Sequence, residues 1–541
     1  MSGEPGRPIT RCAVRAGSYH DSIVLMQLQR ALSTLPGVLD AGVIMATPAN
    51  RELLAAGGFD LDGAESGPDD LLIAVRAESE TAAAEALSRV DALLRTRAVE
   101  SGGERRPRSL ASALKQLPEA RWVLVSVPGR HAADVAEEAM AQGRNVFLYS
   151  DNVPLAREAA LKRRARESGL LVLGPDCGTA WIGGVGLGFA NRVREGDIGL
   201  IGASGTGLQA ILSRIHALGS GVSCAIGTGG RDLSAEIGGI AAAQGLDLLR
   251  RDSETRVIVL VAKPPDPEVA GRLLALARDT GKPVVVHFLG APLPGRKLGN
   301  VRFAATLSEA AELAVEVSTE SAGLQPELPV RGHVRGLFSG GTLAYEAQVG
   351  LSAFLPRGRF TILDLGADEF TVGRLHPMID QDLRLRRLRQ EAADPQVGMI
   401  LLDVVLGEGA HADPAGELAP EIARARAGRE LEIAAIVIGT DADPQGLDTQ
   451  IATLEAAGAR VFRTVSDAVE WVFLHTASTA GPEGPPVPLE EIRAPLAAVN
   501  AGLESFHASL LAQGAAAVQM DWRPPAGGDE RLAGILARMK G

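Results

Sequence analysis

The sequence predicts a multidomain α/β protein with parallel sheets, and two observations lead there. The first is a glycine-rich loop that occurs twice. Gly199-Leu200-Ile201-Gly202-Ala203-Ser204-Gly205-Thr206 is echoed by Gly336-Leu337-Phe338-Ser339-Gly340-Gly341-Thr342. In both, an apolar run meets small residues and a threonine, then a helical pattern begins. That is a strand delivering flexible backbone onto a helix N-terminus, where free N–H groups and the helix dipole favour an anion. The second observation is that short apolar runs follow each loop in the same order. After the first come Cys224–Gly227, Val257–Val261 and Pro283–His287; after the second, Thr361–Leu365, Met399–Val405 and Ala435–Gly439. Runs of this length alternating with helical stretches read as βαβ crossovers in buried parallel sheets, so the two halves form a repeat.

The remaining elements follow in chain order. Residues 10–96 carry a β-α-β…β-α pattern and are expected to form a ferredoxin/ACT-like α+β module. The polar stretch 97–120 reads as a linker. A fresh βα pattern from Trp122-Val123-Leu124-Val125 defines a Rossmann-like domain over 121–195. The repeats occupy 196–320 and 331–478, and a Pro/Gly connector leads to an expected helical tail at 489–541.

Composition narrows the function. A chain of 541 residues with 46% hydrophobic content can bury several cores. Its net charge of -12 argues against an extended nucleic-acid surface and against adhesion to anionic membranes. No apolar stretch reaches membrane-spanning length. Three widely spaced cysteines, Cys12, Cys177 and Cys224, read as reduced thiols of a cytoplasmic protein, without the grouping of a metal site.

Several strings resemble a known family. Residues 122–316 resemble the later part of a succinyl-CoA synthetase α subunit, through Gly174-Pro175-Asp176-Cys177, Gly202-Ala203-Ser204-Gly205-Thr206 and Ile226-Gly227-Thr228-Gly229-Gly230. Residues 332–475 resemble the β-subunit domain that contacts it, through Leu363-Asp364-Leu365-Gly366 and Leu402-Asp403-Val404-Val405-Leu406-Gly407. The resemblance implies a partial CoA-binding-like Rossmann domain followed by two flavodoxin-like domains of synthetase type. Ser150-Asp151-Asn152-Val153, Gly188-Phe189-Ala190-Asn191 and Gly227–Leu233 are more specifically similar to the FdrA family, over about residues 10–475.

Departures from the synthetase pattern shape the candidate site. Asn300 stands where the resemblance expects a phosphorylated histidine, and an amide cannot carry a phosphoryl group as imidazole does. Lys263 corresponds to a supporting glutamate. The resemblance finds no ATP-grasp half and no early CoA loop, so no cofactor is expected. Candidate phosphate or carbamoyl-phosphate contacts are Ser204, Gly205 and Thr206 at one helix start and Gly407, Gly409 and Ala410 at another. Candidate catalytic groups are His411, Lys263 and Asn300. Candidate substrate contacts are Gly229, Gly230, Arg231, Asp176 and Cys177; no metal ligands are expected.

The FdrA resemblance implies a carbamoyltransferase subunit of allantoin breakdown, converting oxalurate and phosphate into oxamate and carbamoyl phosphate. It would act with partner subunits in a homo- or hetero-oligomer. Two other readings stay open: an acyl-CoA synthetase-like or CoA-transfer enzyme, and a non-catalytic regulatory scaffold.

Overall fold

A computed structural model describes residues 8–18, 22–68, 70–100, 106–291, 295–318, 330–476 and 484–524. The first module comprises β1 (Ile9–Arg15), α1 (Ser22–Ser33), β2 (Val38–Met45), α2 (Pro48–Ala56), β3 (Leu71–Ala77) and α3 (Glu80–Glu100). Its strands form an antiparallel sheet in the order β1-β3-β2. The central strand is apolar at nearly every position because both of its faces are covered. Leu71, Ile73 and Val75 pack with Leu28 and Leu32 of α1 and Ala86 and Val90 of α3. Leu72 and Ala74 pack with Leu54 and Phe59 on the other side.

The expected linker at 97–120 is not all loop. It carries α4 (Leu110–Gln116), capped by Ser109, whose hydroxyl accepts from the Ser112 N–H, with Leu110 and Ala113 buried. Then come β4 (Trp122–Val125), α5 (Gly129–Ala141) and β5 (Asn145–Leu148).

The next unit, Leu155–Ala494, holds the two repeats. It opens with α6 (Leu155–Glu167), β6 (Val172–Leu173) and the hairpin β7 (Thr179–Ile182) and β8 (Val185–Gly188). The first repeat runs β9 (Glu195–Ala203), α7 (Gly205–Ala217), β10 (Val222–Gly227), α8 (Ile240–Arg251), β11 (Val257–Ala262), α9 (Pro267–Arg278), β12 (Val284–Phe288), β13 (Lys297–Leu298), β14 (Val301–Phe303) and α10 (Leu307–Ser318). The second runs β15 (His333–Phe338), α11 (Gly341–Ser352), β16 (Phe360–Asp364), α12 (Asp368–Thr371), α13 (Asp382–Ala393), β17 (Val397–Val405), α14 (Pro414–Arg426), β18 (Glu432–Ile438), α15 (Leu447–Ala456), β19 (Arg460–Phe462) and α16 (Val465–His475), with α17 (Glu490–Arg493) after it.

The repeat is real at the level of topology. The parallel strands lie in the order β10-β9-β11-β12-β14 in the first sheet and β16-β15-β17-β18-β19 in the second. Both are the doubly wound order 2-1-3-4-5. Fully buried apolar strands explain the unbroken runs in the sequence: every residue of β10, β11 and β12 is buried. The two repeats meet where the Arg278 guanidinium donates to the carbonyls of Phe473 (2.7 Å) and Thr476 (2.6 Å). The Gly299 N–H also donates to the Glu470 carboxylate there at 2.9 Å.

The expected helical tail at 489–541 is corrected over its described part. It contains β20 (Ala497–Ala501), α18 (Glu504–Ala512) and β21 (Ala516–Met520). Within the Met1–Pro154 and Pro495–Gly541 unit, β21-β20-β4-β5 run parallel. The short Ala/Val run of β20 is wholly buried, which suits a strand covered on both faces. Residues 525–541 lie outside the described residues. Among those described, no helix is long and apolar enough to cross a membrane.

Candidate functional site

In a doubly wound sheet ligands collect at the carboxyl ends of the strands where the order reverses, here between the first and third strands of each repeat. In the first repeat that crevice lies between β9 and β11. β9 ends at Ala203, paired with Ala262, the last residue of β11. Ser204 and Lys263 therefore follow neighbouring strand ends. Ser204 is the N-cap of α7, its hydroxyl accepting from the Gly207 N–H at 3.3 Å. Among the described residues no acceptor meets the N–H groups of Gly205 and Thr206, and Thr206 is exposed. This is an open, electropositive helix end. Lys263 is exposed beside it.

Two turns flank this opening. A side chain at Gly205 would lie 3.6 Å from the Gly178 Cα and the Thr179 hydroxyl. β10 pairs with β9 through Gly227 and Gly202, which brings Thr228–Gly230 to the same edge. Gly229 packs directly on the 174–176 turn: at φ +86°, a Cβ there would stand 2.3 Å from the Pro175 carbonyl. The structure thus gathers Asp176, Gly205, Gly229 and Gly230 around the start of α7. Asp176 and Gly230 are exposed there.

Cys177 does not face the opening. It is buried, with its thiol 3.3 Å from the Gly227 carbonyl, and burial pushes its pKa up to about 12. A thiol so held is packing and no nucleophile near neutral pH. Arg231 is half-exposed and bonds Glu158 at 2.8 Å. Glu158 in turn lies 3.2 Å from Lys162, whose ammonium bonds Asp232 at 2.8 Å and the Thr228 carbonyl at 2.8 Å. Asp232 also accepts from the N–H groups of Ala241 and Ala242 at the start of α8. Arg231 therefore belongs to a four-residue ionic network under the turn.

Asn300 is corrected as a catalytic residue. It precedes β14 and lies by the Val284–Val301 pair, where β12 begins. That is the end of the sheet opposite Ser204. It is buried, and its amide donates to the carbonyls of Ala277 (3.0 Å) and Lys282 (2.7 Å). Asn300 is a structural tie between loops.

The second repeat differs from the first at its crevice. The Ser339–Gly340 loop before α11 is filled by the chain's own Asp403, one residue beyond the Leu337–Leu402 strand pair. The carboxylate accepts from the Ser339 N–H (2.7 Å), the Ser339 hydroxyl (3.0 Å to each oxygen) and the Gly340 N–H (2.8 Å). Arg384 balances it at 3.2 Å and also bonds the Asp403 carbonyl. Both side chains are buried. In the first repeat the matching place is Val261, opposite Gly202 and likewise two residues before the helix cap.

The second candidate cradle is also engaged internally. Gly407 N–H donates to Gln445 at 3.2 Å and Ala410 N–H to the Gly407 carbonyl. Gly407 and Gly409 hold φ values of +130° and +79°, which suit glycine. The N-terminus of α14 is capped by Asp413, which accepts from the Gly416 N–H at 3.0 Å and from Gln450 at 2.8 Å. The Gln450 and Gly416 hydrogen bonds hold Asp413's pKa below its usual range. His411 lies 3.3 Å from Glu417, and its Nδ1 accepts from the Asp413 N–H at 3.1 Å. The expectation of paired open cradles is therefore corrected: the one at α7 is open, and the Gly407–Ala410 loop is tied to Gln445 and to its own carbonyl.

Sequence reasoning missed Glu158, Lys162 and Arg384. In sequence the first two look like an exposed i,i+4 pair on a charged helix, and only the fold shows them buried. Arg384 sits in the arginine-rich stretch Arg384–Arg389, which reads as a solvated face.

A family model described as "AllF, heavy metal-associated domain" matches residues 8–109, a CoA binding domain model matches 193–290, and a CoA-ligase model matches 337–473. The chain is 40% identical over 490 residues to the Escherichia coli (strain K12) protein YahF, covering 83% of this chain and 95% of that one. It belongs to the YahF family. That family is of FdrA/AllF type, with succinyl-CoA synthetase-like domains. A succinate–CoA ligase α subunit of Archaeoglobus fulgidus is 32% identical over 34% of this chain and 63% of its own length. The sulfoacetate-CoA ligase subunit SauD of Bilophila wadsworthia is 26% identical over 36% of this chain and 67% of its own.

These matches overturn the carbamoyltransferase assignment. The domain models are those of CoA ligases, and the named activities of these partial relatives are CoA-ligase activities. The first module's model name implies a heavy metal, but the residues do not fit one. Cys12 donates to the Asp60 carbonyl at 3.4 Å, and burial raises its pKa. Among the described residues no three His, Cys, Asp or Glu side chains group for a metal.

Proposed function

We propose that this member of the YahF family performs the acyl half of CoA-ligase chemistry, exchanging an acyl group between a CoA thioester and phosphate without a phosphohistidine. In that step a phosphate oxygen attacks the thioester carbonyl. The C–O bond forms, the C–S bond breaks, and the CoA thiolate leaves and takes up the proton released by phosphate. The observation that carries the reading is the open start of α7 at the switch point of a CoA-ligase-like unit. Ser204, Gly205 and Thr206 would seat the phosphate, and their N–H groups would stabilise its charge. Lys263 would add a cation at the same edge, and Gly229, Gly230 and Asp176 would line the approach. Asn300, tied to two carbonyls at the far end of the sheet, takes no part.

The full chain, alone and with co-purified partner subunits, is assayed for thiol release from succinyl-CoA and other CoA thioesters with phosphate or arsenate. Release that needs phosphate or arsenate but no nucleotide is expected. Thr206→Val should raise the phosphate requirement about tenfold, the value of one charge-assisted hydrogen bond. Absence of release from every thioester, or release only with MgADP, would refute the reading.

A second reading, a non-catalytic subunit of a larger complex, is favoured by one observation. In the second repeat Asp403 fills the Ser339–Gly340 loop and Gln445 ties down the Gly407 loop. Under it, the assembled complex works equally well with Thr206→Val.

A further inference from the structure

At the end of the first sheet opposite Ser204 lies a cavity of about 400 Å³, lined by Arg250, Arg251, Asp252, Arg256, Lys282 and Ser318 among others. It sits where α8 ends and where β11 and β12 begin. The six residues of β11 separate it from the Ser204 crevice by roughly 17 Å at about 3.3 Å per residue.

Its charge balance is unlike that of the chain. Arg250 and Arg251 share one carboxylate, Asp247, at 2.8 Å each. Arg256 is more than half exposed and reaches Asp197 only at 3.9 Å. The Lys282 ammonium bonds two carbonyls, Leu249 and Asp252, at 2.6 Å each, and among the described residues it meets no carboxylate at that range. Among the described residues the one acid in the lining is already engaged. Asp252 is buried against Arg493 and the Thr255 hydroxyl, and the Arg493 and Thr255 hydrogen bonds hold its pKa below the usual range despite burial. Burial lowers the Lys282 pKa; Asp252 opposes this, and Arg250 and Arg493 add to it. The Arg251 guanidinium also donates to the Val487 carbonyl at 2.7 Å. In a protein of net charge -12, this is a recess in which cations exceed acids among the described lining residues.

Part of this arrangement serves the helix, since basic groups at the end of α8 oppose its dipole and Lys282 satisfies its last carbonyls. That role does not account for Arg256, which lines the same recess. A recess near the lower end of the small-molecule range, with several arginine forks, suits a compact polyanion.

We propose that this cavity is a second ligand site, taking a small polyanion of phosphate or polycarboxylate type and independent of the Ser204 crevice. The full chain is titrated calorimetrically with pyrophosphate, citrate and inorganic phosphate, which separate the phosphate class from the polycarboxylate class. The expected result is saturable binding of pyrophosphate or citrate at one equivalent. It should be weakened about tenfold or more by the exposed double substitution Arg250→Gln/Arg256→Gln, because charge-assisted bonds are lost. It should also weaken with added salt and persist in Thr206→Val. Lys282→Met is a second probe, read alongside thermal stability because that side chain also caps α8. No saturable binding, binding indifferent to the arginine pair, or binding abolished by Thr206→Val would overturn the proposal. Thr206→Val tests the crevice alone, so the two readings fail separately.

Discussion

Replacing Asp403 by asparagine keeps the shape of the side chain and removes its charge, which isolates what the carboxylate does in the second repeat. The structure sets the size of the effect. Asp403 accepts two backbone N–H bonds and a hydroxyl, and it neutralises Arg384, which is as buried as it is. Asparagine would turn one acceptor into an NH2 group facing a donor and leave a guanidinium without its counter-charge. Breaking one partner of such a pair costs about 3–5 kcal/mol. Replacing both with apolar groups costs far less, so Asp403→Leu/Arg384→Met should be nearer wild type than the two single changes summed. The readout is local, because a chain of several domains does not unfold in two states. Hydrogen exchange of the β15 and β17 amides under rising urea reports this sheet directly. Asp403→Gly adds a further arm, since it empties a seat built for an anion. Millimolar phosphate or sulfate should then restore protection, by about 2.7 kcal/mol at a hundred times the dissociation constant. A loss below about 1 kcal/mol in Asp403→Asn, or a double variant as unstable as the sum, would refute this account of the loop.

Four further outcomes follow from other parts of the molecule. Gly229→Ala should destabilise the first repeat by about 2–4 kcal/mol, because its Cβ would meet the Pro175 carbonyl at 2.3 Å with φ at +86°. Gly205→Ala, with nothing nearer than 3.6 Å, should change thermal stability by less than about 1 kcal/mol. The hydrogen bond from Arg389, helped by Arg424 and opposed by burial, lowers the Glu421 pKa from 4.5 to about 2. Its stabilisation is therefore complete above about pH 4.5 and lost as pH falls toward 2. With both arginines largely exposed, this amounts to about 1–2 kcal/mol, visible as a smaller acid slope in Glu421→Gln. Cys177 and Cys224, with pKa values raised to about 12 by burial, should stay unmodified by iodoacetamide at pH 8 until the chain unfolds, as peptide mass mapping would show.

What the sequence discloses follows from which forces leave a periodic trace. Parallel strands covered on both faces must be apolar throughout, so β10, β11, β12, β17 and β18 stand out as runs, and the order of the runs implies the duplicated sheet. The β20–β21 segment escaped notice because runs as short as Ala-Ala-Val-Asn-Ala have no period long enough to separate strand from helix. Individual positions are legible only where backbone geometry demands a residue type. Gly229 is such a position, because a turn packs on it at positive φ, whereas Gly205 has room for a Cβ. Charge is not legible in this manner. Lys162 and Arg384 lie in helices whose charge patterns suggest solvent, and Asp403 lies within an apolar strand, yet these three are among the most buried groups of the unit. Whether an anion seat is open depends on one side chain on the neighbouring strand. With Val261 there, no side chain of this strand fills the loop beside Ser204; with Asp403 there, the chain supplies its own anion and buries Arg384 to hold it. Two loops that look alike in sequence thus differ in structure through a residue about sixty positions further on, which no local motif could reveal.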